Sequence, residues 1–290
     1  GLRALDPKTE AALVMLGDHL GLYRAMARLG PATPGEIAAA VGARERYVRE
    51  WLSAQAASDY VDFDKWTGKF SVSPEQATVF ANEESPAFMS GAFEVIASMW
   101  RDEAKVGAAF TSGEGVGWHE HDACLFCGTE RFFRPGYNAH LVNEWIPALE
   151  GVEARLKAGA KVADVGCGHG ASTILMAKAY PNSRFTGFDY HASSIDRARL
   201  MAAEAGVADR VDFQVAAAAS YPGKDYDLVC IFDALHDMGD PVGAAKHIRE
   251  TLKPDGVWML VEPFSTDDLA ANMNPVGRVY YSASTLICKQ

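Results

Sequence analysis

No stretch of the 290-residue chain approaches the roughly 20 apolar residues that a membrane-spanning helix needs. No basic segment followed by an apolar one stands at Gly1 either, so neither insertion nor export is expected. A cytoplasmic protein with no membrane partner is the expectation. Basic residues are scarce, 27 Lys and Arg against 38 Asp and Glu, and the formal net charge of -11 opposes sustained contact with a phosphate backbone. The expected partner is a small-molecule substrate rather than nucleic acid. Cysteine is sparse and odd in number, five in all, which excludes a secreted disulfide framework and fits thiols in a reducing compartment.

What is present is enough apolar material, 49% of residues, for about two packed domains. Leu13, Leu16, Leu20, Tyr23 and Ala27 recur at helical spacing, and the pattern stops at Gly30-Pro31, predicting one helix over this stretch. Thr33-Pro34-Gly35-Glu36 reads as a capping box opening a short helix that ends at Gly42. A third helix carries Val48, Trp51, Leu52 and Ala56 inward, and residues 60–72 alternate as a hairpin. Helix, short helix, helix and hairpin make a winged-helix pattern over residues 1–84. Residues 34–65 hold four basic against six acidic side chains, so this module is read as a dimerisation or lid element rather than a DNA reader.

Residues 85–150 form a helical connector, with one helix expected over 86–110 and a glycine-rich break at 112–117. Its aromatics suit the roof of a pocket, with Trp118 and His119 as substrate-facing candidates. The run His119-x-His121-x-x-Cys124-x-x-Cys127 has metal-type side chains. The usual zinc spacing instead puts ligand pairs on separate elements, so a pocket-lining loop with no metal is expected.

From Lys161 the pattern changes to short Val-, Ile- and Phe-rich runs separated by helices: 161–165, 184–188, 211–215, 226–232 and 257–261. Such a βαβ series predicts an α/β domain over residues 151–290 with a Rossmann-like, mostly parallel sheet. Ligands of such sheets lie beyond the carboxyl ends of the strands. After the first strand comes Asp164-Val165-Gly166-Cys167-Gly168-His169-Gly170. Its glycines allow a sharp turn and close approach to a nucleoside, where a Cβ would clash. Gly166-x-Gly168-x-x-Ala171 also satisfies a dinucleotide fingerprint, so the glycines alone leave an NAD-type dehydrogenase open. Asp164 favours a cationic cofactor, since a pyrophosphate would sit badly beside an anion. Asp189, 19 residues after Gly170, can accept both ribose hydroxyls, with Tyr190 and His191 beside it.

The loop resembles the D-x-G-x-G-x-G motif of class I S-adenosylmethionine-dependent methyltransferases. Leu235-His236-Asp237 after the fourth strand and Leu252-Lys253-Pro254-Asp255-Gly256 before the fifth are similar to two further motifs of that class, with Asp255 where glycine is usual. The whole chain resembles plant phenolic O-methyltransferases and their bacterial small-molecule relatives. That resemblance implies S-adenosyl-L-methionine as cofactor, held by Asp164, Gly166, Gly168, Gly170, Asp189, Tyr190, Phe232 and Asp233. It also implies a homodimer through the N-terminal domain and His236 as general base, with Glu262 as an orienting acid or substrate contact.

An imidazole titrating near pH 6.5 suits that proton transfer. The alternative for His236 is a helix-entry histidine bonded to Asp240 or to backbone. The class places an acid or amide against adenine after the third strand. Here Ala216 to Ala219 stand there, so adenine is expected against Ala217 and Ala218, or against Asp212 or Gln214 in a shifted register. Too few residues follow the fifth helix for the terminal strand pair of this class, so an open sheet edge, a truncated chain or a covering partner is expected, with 278–285 as one short strand. A cofactor-sensing winged-helix regulator is the binding-module alternative.

Overall fold

The computed structural model describes residues 6–288, so the expectation about Gly1 lies outside the described residues. Two compact units emerge: residues 1–98 with 127–136, and residues 99–126 with 137–290. The connector region 85–150 is thus divided between them.

In the first unit, α1 (Asp6–His19) and α2 (Leu22–Leu29) replace the single helix expected. Gly21 adopts φ 71°, a left-handed conformation that ends one helix and starts the next, and the apolar periodicity runs across the break and hides it. Leu16 and Leu20, expected inward, are about half exposed at 47% and 46%. α3 (Pro34–Val41) opens on the expected capping box: the Thr33 hydroxyl accepts from the Glu36 amide, and the Glu36 carboxylate accepts from the Thr33 amide at 2.7 Å. α4 (Glu45–Ala57) buries Val48, Trp51 and Leu52, and β1 (Asp62–Asp64) pairs antiparallel with β2 (Lys69–Ser71). α5 (Pro74–Phe80), unforeseen, begins on a second capping box between Ser73 and Gln76. The core gathers Val14, Tyr23, Met26, Ile37, Trp51, Leu52 and Phe80.

The helix expected over 86–110 is two, α6 (Ser90–Arg101) and α7 (Glu103–Ser112), parted at Asp102. α8 (Ala123–His140) follows a short turn at Trp118–Glu120. In the first unit its Arg131 meets Asp18, Glu83 and Glu94, a largely buried cation among three acids.

The second unit continues with α9 (Val152–Ala158), β3 (Lys161–Val165), α10 (Ala171–Ala179), β4 (Arg184–Asp189), α11 (Ala192–Glu204), β5 (Val211–Val215), β6 (Tyr226–Phe232), α12 (Pro241–Thr251), β7 (Leu252–Val261) and α13 (Pro275–Ile287). Every strand pairing is parallel, in the order β5-β4-β3-β6-β7. Helices cover both faces, so Val162, Ala163, Asp164 and Val165 are all buried despite their alternating directions. The chain leaves β3 one way to β4 and returns on the other side with β6, so the switch in strand order lies between β3 and β6. The loops after those two strands flank the crevice where such sheets bind ligands.

Two expectations fail here. The turn before the fifth strand is drawn into β7, which begins at Leu252 and forms a sheet edge. Residues 278–285 are helical in α13, because the Asn274 side chain accepts from the amides of Val276 and Gly277 while Pro275 takes the first helical position. Among the described residues, no helix is long and apolar enough to cross a membrane.

Candidate functional site

Gly166, Gly168 and Gly170 have φ values of 76°, 50° and 79°, so each turn of the loop uses the left-handed region. Their reasons differ, which corrects the expectation that all three make room for a ligand. A Cβ on Gly166 would lie 2.9 Å from the Ala234 Cβ, and one on Gly170 would lie 2.5 Å from the Phe213 ring. Those two glycines admit protein. Only Gly168 would point a Cβ into open space. The amides of Gly166 and Cys167 both donate to the Phe188 carbonyl, which fastens the loop to β4.

Asp164 is 1% exposed, and its Oδ2 accepts from the hydroxyls of Ser172 and Thr173, each at 2.6 Å. It therefore braces the start of α10 against the end of β3, a role its position in the motif does not reveal. Its Oδ1 is buried with no hydrogen-bond partner among the described residues. Burial pushes this carboxyl up to about 6; the two hydroxyls pull it back, and nearby Asp189 adds to the rise.

Asp189 ends β4 with its carboxylate accepting from the Gly168 amide at 2.9 Å and the His191 amide at 2.8 Å. Burial raises its pKa in spite of those two donors. Tyr190 is about half exposed; its hydroxyl accepts from the His119 amide at 3.2 Å, and the two rings meet edge to face at 5.7 Å. Phe126 stacks on His191 at 4.5 Å and carries Trp118 on its edge. Trp118 and His119 thus stand over the Asp189 end of the crevice.

Ala217 is exposed and Ala218 partly buried; Ala216 and Ala218 pack on the Phe188–Tyr221 cluster. Asp212 and Gln214 bond to each other.

On the other side of the crevice, Phe232 is buried against Tyr137 and Trp145 at ring separations of 5.4 and 6.4 Å. Asp233 takes φ 50°, accepts from the Tyr137 hydroxyl at 3.2 Å, and is pushed up to about 6 by burial and by Glu262. Tyr137 carries no sequence signal that separates it from the other connector aromatics. Glu262 accepts from the Leu235 amide at 2.8 Å through Oε1, and its Oε2 pairs with Nδ1 of His236. Both oxygens are engaged, so Glu262 orients His236. Asp240 caps α12 through the Gly243 amide, leaving His236 to Glu262 and Asp237. The Glu262 bond raises the pKa of His236 against the opposing effect of burial.

The four metal-type residues of the connector have separate partners in two cases that matter: His121 bonds Asp102 at 3.0 Å, and Cys124 bonds Arg101. Among the described residues, the groups that bring three such ligands together are His236–Asp237–Cys288 and Asp18–His19–Glu94.

A family model described as a methyltransferase domain matches residues 156–287. A second, described as an Rv2258c-like winged HTH domain, matches residues 9–82. Residues 156–287 thus match a methyltransferase domain and residues 9–82 a winged helix. The 27-O-demethylrifamycin SV methyltransferase of Amycolatopsis mediterranei (strain S699) is 35% identical over 103 residues, covering 35% of this chain and 38% of that protein. The ubiquinone biosynthesis O-methyltransferase of Xanthomonas euvesicatoria pv. vesicatoria (strain 85-10) is 36% identical over 117 residues, 39% of this chain and 47% of that protein. The matched segments span less than half the length of these curated relatives.

Similar solved structures extend over nearly the whole chain and establish the fold. The mitomycin 7-O-methyltransferase has a TM-score of 0.72 at 19% identity, covering 99% of this chain and 85% of that one. Human N-acetylserotonin methyltransferase in complex with S-adenosylmethionine has 0.70 at 17%, covering 97% and 83%.

The residues present fit a cationic nucleoside. Open space stands over Gly168, the Asp189 carboxylate flanks it, and the buried Asp164 Oδ1 has no donor among the described residues. Gly168→Ala should lose only about 1–2 kcal/mol of stability from the left-handed backbone yet weaken binding of S-adenosylhomocysteine. Gly170→Ala should lose about 2–4 kcal/mol, because strain and the Phe213 clash add. Urea unfolding and calorimetry on both variants check this, and wild-type affinity in Gly168→Ala would remove the loop from the binding surface.

Proposed function

We propose that this methyltransferase-domain protein transfers a methyl group from S-adenosyl-L-methionine to a hydroxyl, amine or carbon of a small molecule. The observation that carries the reading is the crevice between the ends of β3 and β6, where the Gly168 cradle and Asp189 face the His236–Glu262 pair across the switch in strand order. The bound cofactor supplies an electrophilic methyl on a sulfonium. The protein's own residues hold its nucleoside: Asp189 takes the ribose hydroxyls, and Asp164, Asp189 and Asp233 surround the site with negative charge that favours a cation. Phe232, Tyr190, Ala217 and Ala218 line the remaining cofactor surface in this reading, and Trp118 and His119 close it.

His236 acts as general base. Glu262 holds Nδ1 and fixes the tautomer; Nε2, with the Asp237 carboxylate 3.5 Å away, is the nitrogen that receives the acceptor's proton. Methyl transfer otherwise depends on in-line placement of nucleophile and methyl carbon. The protein works in the cytoplasm as a homodimer through its N-terminal domain; Leu16 and Leu20, one helical turn apart and half exposed, supply an apolar contact.

Calorimetry should show binding of S-adenosylhomocysteine and not of NAD, with Asp189→Asn weakened about 10- to 100-fold by loss of charged hydrogen bonds. Binding of NAD in preference would overturn the methyl-transfer reading.

The rate with a neutral hydroxyl acceptor should rise with pH through a midpoint above 6.5, because the raised pKa of His236 keeps it protonated, and unable to act as base, at lower pH. Glu262→Gln should move the midpoint down, and His236→Gln should lower kcat by about 10²- to 10⁴-fold. A flat pH profile in wild type, or full turnover by His236→Gln, would take the histidine out of the mechanism.

Replacing Leu16 and Leu20 together by Glu should yield a monomer in sedimentation velocity. A wild-type monomer would overturn the dimer.

A further inference from the structure

Among the described residues, three metal-type ligands converge at two places, and one of these is already filled by cations of the protein. Asp18 and Glu94 both hold Arg131, and Asp18 also holds Arg24, so a metal at the Asp18–His19–Glu94 group would have to displace arginine. The His236–Asp237–Cys288 group lies wholly in the second unit, and the ion pairs of its histidine and carboxylate involve no lysine or arginine among the described residues. One ligand atom from each of the three side chains lies within 4.8 Å of the other two. The His236 atom that faces Asp237 is Nε2, 3.5 Å from Oδ1. Zinc bonds of about 2.0–2.3 Å in a tetrahedron put ligand atoms about 3.3–3.8 Å apart. The Nε2 to Oδ1 separation already fits, and the other pairs need to close by at most about 1.5 Å.

Three further observations fit a cation there. Oδ1 of Asp237 is buried with no hydrogen-bond partner among the described residues, an unfavourable state that a metal on that oxygen would relieve. Nδ1 of His236 is held by Glu262, whose other oxygen accepts from the Leu235 amide at 2.8 Å. A fixed carboxylate behind one ring nitrogen is the arrangement that orients a metal-binding imidazole and raises the basicity of the other nitrogen. Charge also balances. The Cys288 thiol donates to the Asp237 carboxylate; a divalent cation would send that proton to solvent and leave a thiolate and a carboxylate to neutralise it. One nitrogen, one oxygen and one sulfur suit zinc and oppose magnesium or calcium, which take oxygen.

We propose that His236 Nε2, the Asp237 carboxylate and the Cys288 sulfur form a site for one zinc-type divalent cation, with the fourth position of the tetrahedron left to water. His236 is 37% exposed, which gives the ion a way in. Metal and proton then compete for a single lone pair on Nε2, so a protein carrying the cation has lost its base. That consequence rests on the methyl-transfer reading; the metal site does not.

The probes are cobalt(II) and zinc(II), added to the full chain after reduction and removal of metal by a chelator. One equivalent of cobalt should give a sulfur-to-metal charge-transfer band, lost in Cys288→Ser and kept when Cys124 and Cys127 are both replaced by Ser. X-ray absorption of wild type with zinc should show one sulfur at about 2.3 Å and nitrogen or oxygen at about 2.0–2.2 Å, which needs no variant that folds. Zinc affinity, read by competition with a chromophoric chelator, should fall about 10- to 100-fold in Glu262→Gln, the worth of an outer partner, and further in Cys288→Ser. One equivalent of zinc should abolish carbethoxylation of His236 by diethyl pyrocarbonate, followed by peptide mass spectrometry. A cobalt band that survives Cys288→Ser, a zinc sphere with two sulfurs or none, or His236 modified equally with and without zinc would each overturn the site. Zinc held by these three ligands in a protein that fails to bind S-adenosylhomocysteine would keep the metal site and strike the methyl-transfer reading.

Discussion

The geometry of the crevice depends on one buried carboxylate. Asp164 lies where the chain must leave a central parallel strand and enter a helix within five residues. An ionised carboxylate in that position would lose several kcal/mol of hydration if left alone. Two hydroxyls from the first turn of α10 satisfy one oxygen, and in doing so they draw the helix start against the strand end. The intervening loop can then close only through left-handed conformations at its three glycines. That closure sends the Gly168 amide to Asp189 and presses Gly166 against Ala234. Asp189 and the His236 segment are thus placed by the same turn.

The charge around the crevice decides which ligand suits it. A helix N-terminus following a glycine loop ordinarily favours an anion, as in dinucleotide sites. Here Asp164, Asp189, Asp233 and Glu262 oppose that preference. Two like charges about 4 Å apart at an effective dielectric near 20 repel by about 4 kcal/mol. A pyrophosphate entering among several acids meets that repulsion more than once, and a sulfonium with its ammonium group relieves it. Asp164 and Asp233, both pushed up to about 6 mainly by burial, hold the tension that a cation would release.

Local signals made much of this fold readable. Three of the five strands match their expected limits, since short β-branched and aromatic runs between helices leave little choice of register. The glycine loop and the Thr33 capping box were legible because each works within a few residues. Errors arose where the deciding contact was conformational or distant. The break at Gly21 lies inside an unbroken apolar rhythm. The sequence around α13 points two ways, since Asn274-Pro275 is an ordinary helix start while a strand over 278–285 would cover the β7 edge. Asp164 was legible as an acid beside a glycine loop but not as a brace, since Ser172 and Thr173 show no sign in sequence of turning back to it. The Asp102–His121 pair was invisible: its members lie 19 residues apart, one inside a stretch that read as continuous helix and the other inside an apparent zinc motif.

Two histidines have carboxylate partners, His236 with Glu262 and His121 with Asp102, and their surroundings differ. His236 is 37% exposed at the crevice, where Glu262 stabilises its cationic form. The His121 side chain is sealed from solvent beside Asp102. In-line placement of nucleophile and methyl carbon bears on the larger part of a methyl-transfer barrier, since proximity and orientation supply about 7–11 kcal/mol while a general base supplies a factor of 10² to 10⁴.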